Sequence, residues 1–225
     1  MYSRNCKRAG SLALIALGVS ALSIATSQAA VIGLYNTGVD VNANMVDQAW
    51  TIVGGSSSPA LTYPSNAYAD STNGVYPVTP GVWVPNSAIS SWDTPTKPIS
   101  GALDPSTNGT YIYQTQFDVT GAPGTLAFKF AADNEVSKIT LNGNTIYTGP
   151  GFPTSQFSSF TPVTATDQSG ANVLDFYVVN YAQNGSNFSG LNVQFAATPG
   201  PVPGAGLAGL AALALAGLYA RARRA

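Results

Sequence analysis

Only 8% of the 225 residues are charged, against about 25% in an ordinary soluble domain, and Gly, Pro, Ser, Thr and Asn take up the difference. Of nine basic residues, only Lys97, Lys129 and Lys138 lie between the two ends, against all ten acidic ones, so the middle carries a net −7. An acidic middle is a poor match for a phosphate backbone and excludes nucleic acid as a natural partner. There is no histidine, and the one cysteine is Cys6. The commonest general base, the commonest transition-metal ligand and, beyond residue 6, all thiol chemistry are therefore missing.

At the start of the chain, Arg4, Lys7 and Arg8 precede an apolar run from Ser11 to about Ala25. Small residues at Ser27 and Ala29 then place a signal-peptidase cut between Ala29 and Ala30. Residues 1–29 accordingly read as a secretory signal peptide that forms an apolar helix. The alternative is a retained signal anchor. Cys6 precedes the apolar run, which is the wrong place for a lipoprotein cysteine.

Residues 30–197 read as one all-β domain. From Gly54 to Asn108 the chain is irregular, with short apolar stretches such as VYPV and VWVP among Ser, Pro, Gly and Thr. Its tryptophans and tyrosines favour packed loops over disorder. After it, the period of two expected of half-buried strands becomes regular. In GTYIYQTQFDV, Tyr111, Tyr113, Thr115, Phe117 and Val119 share one face. TLAFKFAA repeats the pattern with Leu126, Phe128 and Phe130, VLDFYVVN with Leu174, Phe176 and Val178, and LNVQF with Leu191, Val193 and Phe195. Within VSKITLNGNTIYT, Asn142-Gly143 predicts a tight hairpin turn. Short strands separated by turns predict an antiparallel β-sandwich.

Residues 198–225 form a tail of three parts. Pro199, Pro201, Val202 and Pro203 make a proline motif, an apolar run extends from Ala205 to Tyr219 or Ala220, and Arg221, Arg223 and Arg224 form a basic end. As a helix the run would span roughly 24 Å, short of the roughly 30 Å hydrocarbon core. The arginines would stay on the cytoplasmic side, leaving the domain outside. The tail resembles the PEP-CTERM class of bacterial sorting signals. That resemblance implies handling by an exosortase-type membrane peptidase and transient anchoring in the inner membrane, in bacteria that make exopolysaccharide. Pro199-Gly200-Pro201 and Val202-Pro203-Gly204 stand where the class carries Pro-Glu-Pro. An ordinary anchor that is never cut is the competing reading.

The ordered segments VWVPNSAISSWDTP, TYIYQTQFDVTG, FKFAADNEVSKITLNG, FSSFTPV, NVLDFYVVN and SGLNVQF, from Val82 to Phe195, resemble the galactose-binding-like jelly roll found in many PEP-CTERM proteins. The resemblance implies carbohydrate binding by loops at one end of a sandwich, often with a structural calcium ion.

Two clusters could serve such roles. Trp83 and Trp92 flank Asn86, Ser87 and Asp93. An indole can stack on a sugar ring while amide and carboxylate groups bond its hydroxyls. The alternative is that both indoles fill the end of the sandwich. Asp133, Asn134 and Glu135 could contribute hard oxygen ligands to calcium, which needs six to eight, or could simply cap a strand. Asp40, Asn42, Asn44 and Asp47 have loop-like spacing without the glycine and terminal glutamate of an EF-hand, and read as a turn. No motif places two carboxylates in a cleft as a glycosidase requires, and the usual triads are excluded.

The expectation is therefore a non-catalytic, exported cell-surface or extracellular-matrix protein with a carbohydrate-binding β-sandwich. Its partners would be signal peptidase, an exosortase-type peptidase and exopolysaccharide. A structural surface or biofilm protein without a ligand site comes second, and a polysaccharide-active hydrolase third.

Overall fold

The computed structural model describes residues 30–56, 61–97, 108–151, 156–181 and 188–196. The helices expected in the signal segment and in the tail lie outside them, as do Ala29, the proline motif and the terminal arginines. Among the described residues there are eleven strands and no helix. They are β1 (Ala30–Ile32), β2 (Val46–Ser56), β3 (Ser65–Asp70), β4 (Trp92–Thr94), β5 (Gly109–Thr120) and β6 (Thr125–Asp133). β7 (Glu135–Leu141), β8 (Asn144–Thr148), β9 (Gln156–Thr166), β10 (Gly170–Asn180) and β11 (Gly190–Phe195) complete the set.

The strands pair antiparallel along one path, β8-β7-β10-β5-β2-β3-β4-β11-β6-β9, with β1 also on β5. The path folds back on itself as a sandwich: one leaf runs from β8 to β2, the other from β11 to β9, and the short β3 and β4 bridge them. Period-two alternation drives this closure. In β5 the odd residues 109–119 are buried, and in β10 the even residues 172–180 are buried. The leaf that holds β5 and β10 thus carries one buried face, apolar except for Thr115, Asn172 and Asn180.

Phe176 is the centre of the core. It is fully buried, with Trp50, Phe128 and Phe130 ring centroids at 5.7, 5.6 and 6.0 Å in tilted or edge-on contact. Phe128 and Phe130 belong to β6 on the opposite leaf, so this one ring ties the two leaves together. The hairpin turn is as expected: Asn142 and Gly143 have φ of 53° and 79° between β7 and β8, the left-handed pair that a two-residue turn matching strand twist demands.

β6 passes directly into β7 and so carries the chain from one leaf to the other at Asn134. The Asn134 N–H donates to the Val179 carbonyl (3.0 Å), and its own carbonyl accepts from the Gln156 N–H (2.8 Å). Where the sequence appears irregular, β2 is bulged against both neighbours and β4 has three residues. Residues 71–91 are turns and loops.

Truncating the central ring tests this account. Phe176→Ala should cost about 3–5 kcal/mol, seen as a lower denaturation midpoint at unchanged m-value.

Candidate functional site

The outer face of β6 and β11 would be open to water if the chain between β3 and β4 did not cover it. Val78, Trp83, Val84, Trp92 and Ala131 form a second apolar cluster there, with Phe157, Phe160 and Phe188 against it. The two indoles stack at 4.1 Å between centroids and 27° between planes. Trp92 Nε1 donates to the Val84 carbonyl (2.8 Å), and Trp83 Nε1 donates to Asp133 Oδ2 (2.6 Å). Gly190 leaves the space they occupy, because a Cβ there would lie 2.8 Å from Trp83 Cη2 and 3.1 Å from Trp92 Cε3.

This roof determines where the expected site residues go. Trp83, Trp92 and Asp93 are buried. The indole rings are spent on each other and on the outer face of the sheet, in a cluster separate from the core between the leaves. Asp93 lies opposite Leu191 and Ala69 in the ladders, so its side chain shares their inward face. Of the four residues expected around a sugar, only Asn86 reaches an open surface.

It does so as a fastener. The Asn86 N–H donates to Asn73 Oδ1 (2.8 Å) and its carbonyl accepts from Asn73 Nδ2 (3.1 Å). Its Nδ2 donates to the Asp70 carbonyl (2.6 Å), while its Oδ1 accepts from the Trp92 N–H (2.9 Å). Ser87 Oγ accepts from the N–H groups of Ile89 and Ser90 at 3.2 and 3.1 Å, closing the next turn.

Together with the turn at 38–42, these two turns enclose a solvent-open basin of about 520 Å³. Asp40, Asn42, Ser71, Asn73, Ser87 and Ser90 contribute to its lining, and Asp40 is the one charged residue among the lining residues. The turn at Asp40 and Asn42 is thus a turn, as its spacing suggests, and it also forms a wall of the basin. Gly38, with φ of 57°, closes against Ser91, where a Cβ would approach the serine Cβ to 2.8 Å.

Asp133, Asn134 and Glu135 do not converge. Asp133 faces the Trp83 indole, and Asn134 Oδ1 accepts from the Tyr181 N–H (2.7 Å). Glu135 accepts from the Gly151 N–H (2.8 Å) and the Tyr181 hydroxyl (2.9 Å). Asn134 and Glu135 both meet Tyr181, through its N–H and its hydroxyl, while Asp133 turns away to the indole. The three therefore do not fit a calcium site, and among the described residues no group of three or more His, Cys, Asp or Glu could hold a metal.

Two buried carboxyls have unusual proton affinity. Burial pushes Asp133 up to about 7 from 3.8, partly offset by the indole hydrogen bond, and its Oδ1 has no donor among the described residues. Asp93 is raised well above the ordinary value by burial, then by the charge of Asp47 and by a hydrogen bond with it. Asp47 in turn accepts from the N–H groups of Gly38 (2.6 Å) and Ala49 (2.8 Å). Neither carboxyl oxygen of Asp93 has another partner among the described residues, and two adjacent buried carboxylates cannot both ionise cheaply, which favours the protonated form of Asp93.

No protein-family model matches the chain, and no curated protein is significantly similar. Among solved structures, it is similar to the native structure of a family 35 carbohydrate binding module from Clostridium thermocellum. That match has 18% identity, covers 64% of this chain and 96% of that one, and has a TM-score of 0.30. A family 35 carbohydrate binding module from an environmental isolate matches with 12% identity over 65% of this chain and 100% of that one, at a TM-score of 0.26.

Between the unfolded value of 3.8 and about 7 the folded chain keeps a proton on Asp133 that the unfolded chain releases. The unfolded state then binds fewer protons, so this group's contribution to stability falls as pH rises through that window, by at most about 1.4 kcal/mol per unit. Asp133→Asn preserves an acceptor for the indole, and it should lose less stability than wild type between pH 4 and 7.5 in denaturant titrations. Asp93→Asn, which can donate an amide N–H to Asp47 permanently, should flatten the profile in the same direction. Steeper profiles in either variant would contradict the burial argument.

Proposed function

We propose that the protein is a non-catalytic glycan-binding module, exported and delivered to the cell surface or extracellular matrix, and that the basin is its binding site. One observation carries this reading: an open basin of about 520 Å³ whose lining is mainly polar, with amides and hydroxyls on hydrogen-bonded turns beside Val39, Val41 and Ala88. Such groups match sugar hydroxyls, and turns fixed before binding lose little entropy on it. With Asp40 its one charged lining residue, the basin suits a neutral sugar better than an acidic one. Trp92 supports the site by holding Asn86 in place through its N–H, and Trp83 stacks on the Trp92 ring. The Asp47 and Asp93 carboxyls are sealed from solvent, so that pair is not available to a substrate as hydrolytic acid and base.

Export and sorting belong to the same reading. A cut between Ala29 and Ala30 leaves β1 whole, since Ala30 is its first residue. The tail, with Pro199, Pro201, Val202, Pro203, Arg221, Arg223 and Arg224, would hold the domain at the inner membrane until an exosortase-type peptidase releases it. The mature protein recovered from medium or envelope should then have lost both ends by mass spectrometry. An intact basic C-terminus in the membrane fraction would make the tail a plain anchor.

Binding is tested by native electrophoresis of the full-length protein through gels cast with soluble neutral polysaccharides, a β-glucan and a galactomannan. Wild type should be retarded in at least one. Asn42→Ala combined with Ala88→Leu, which fills part of the basin with an isobutyl group, should weaken retention at least tenfold at unchanged melting temperature. Retention equal to wild type would remove the basin as the site.

A further inference from the structure

The opposite leaf presents a different surface. Every residue of β11 is buried beneath the covering loop, whereas the outward residues of β5 and β10 are exposed or half-exposed. Across them runs a chain of side-chain hydrogen bonds. Thr140 Oγ1 donates to Asp175 Oδ2 (3.2 Å), and Gln114 Nε2 donates to Asp175 Oδ1 (2.8 Å). Gln116 Nε2 then donates to Gln114 Oε1 (2.8 Å). The ladder fixes the Gln114 amide and ends at the exposed Gln116.

Gln116 stands at a gap in strand pairing. β1 accompanies β5 as far as Ile32 opposite Asp118, and β2 pairs with it from Thr51 opposite Gln114. Between them is a notch of about 270 Å³ whose lining includes Tyr35, Gln48, Thr51, Gln114 and Gln116. Tyr35 is 50% exposed, although Leu34 and Asn36 on either side are buried. Its backbone is fixed, because Trp50 Nε1 donates to the Tyr35 carbonyl (3.1 Å). An aromatic ring held in solvent on an anchored backbone, beside fixed amides, offers contact area at low entropic cost. No charged residue lines the notch.

We propose that this notch is a second glycan-binding subsite, in which Tyr35 stacks on a neutral sugar ring while Gln48, Thr51 and Gln116 bond its hydroxyls. It shares with the basin only the class of ligand, since no residue lines both. The uncharged lining commits it to a neutral polyol rather than to an ionic partner. Two subsites on one domain give long chains an advantage over short ones through effective concentration.

The test uses the same gels and the full-length protein. Tyr35→Ala and Gln116→Ala should each weaken retention by a neutral polysaccharide about five- to tenfold at unchanged melting temperature. Tyr35→Phe, which keeps the ring, should stay within about twofold of wild type. If Tyr35→Ala and Gln116→Ala migrate as wild type while Asn42→Ala with Ala88→Leu loses retention, the notch is overturned and the basin stands. If the notch variants lose retention and the basin variant does not, the notch stands and the basin falls. A wild-type protein retarded by none of the polysaccharides overturns both. A Tyr35→Ala change in oligomeric state by gel filtration, without any change in retention, marks the face as a contact between copies and overturns the subsite.

Discussion

Two stacked indoles determine what the loop end of this molecule can be. Each indole buries on the order of 200 Å², worth roughly 5 kcal/mol at the usual coefficient as an upper figure. That burial draws residues 77–92 onto a sheet face that would otherwise be wet. Everything on the rim follows from it: Trp92 positions Asn86 through its N–H, Asn86 ties down Asn73, and the Ser87 turn closes beside them. The space exists because residue 190 has no Cβ. Apolar packing beneath is thus what gives a polar basin its shape.

The same packing strands carboxyl groups where no cation can reach them. Among the described lysines, Lys129 and Lys138 lie over the rings of Phe160 and Tyr177 at 4.5 and 4.0 Å, and Lys97 is exposed. With so few basic residues, burial raises the proton affinity of Asp93 and Asp133, while Asp47 accepts from backbone N–H groups. The raised proton affinities inside and the low charge of the composition are one fact seen at two scales. The polar interior costs stability at neutral pH, and the aromatic core around Phe176 offsets it.

How much of this was legible depended on whether a residue's neighbours in sequence decide its environment. For β5, β6 and β10 they do, because alternation alone sorts one face from the other, and Asn142-Gly143 marks its own turn. β11 reads as half-buried and is wholly buried, because its outer face is covered by a loop some hundred residues earlier in the chain. β2 is interrupted by bulges against both of its neighbours, which blurs its period. Trp83 and Trp92 are aromatic residues in a polar stretch whether they face a sugar or each other, and spacing cannot distinguish the two. Asp133, Asn134 and Glu135 look like a cluster because they are adjacent, yet they straddle the junction where β6 ends and β7 begins, and Asp133 turns to Trp83 while the other two meet Tyr181. Tyr35 carried a faint signal, a lone large aromatic between Leu34 and Asn36 just past a short strand, but its amide neighbours come from β2 and β5.

The division of charge bears on which glycans such a surface could take. The middle of the chain carries a formal net charge of −7, less the protons that buried Asp93 and Asp133 retain, and that negative field, acting over a Debye length of about 8 Å at physiological salt, opposes the approach of any polyanion. Neither proposed site offers a lysine or arginine against that field. An acidic polysaccharide would therefore meet repulsion at long range and find no counter-charge at contact. A neutral one would meet neither obstacle, and would find amides, hydroxyls and one aromatic ring at the proposed sites. Selectivity on such a surface would come from what the field excludes, with affinity built from several weak contacts along a chain rather than from one deep pocket.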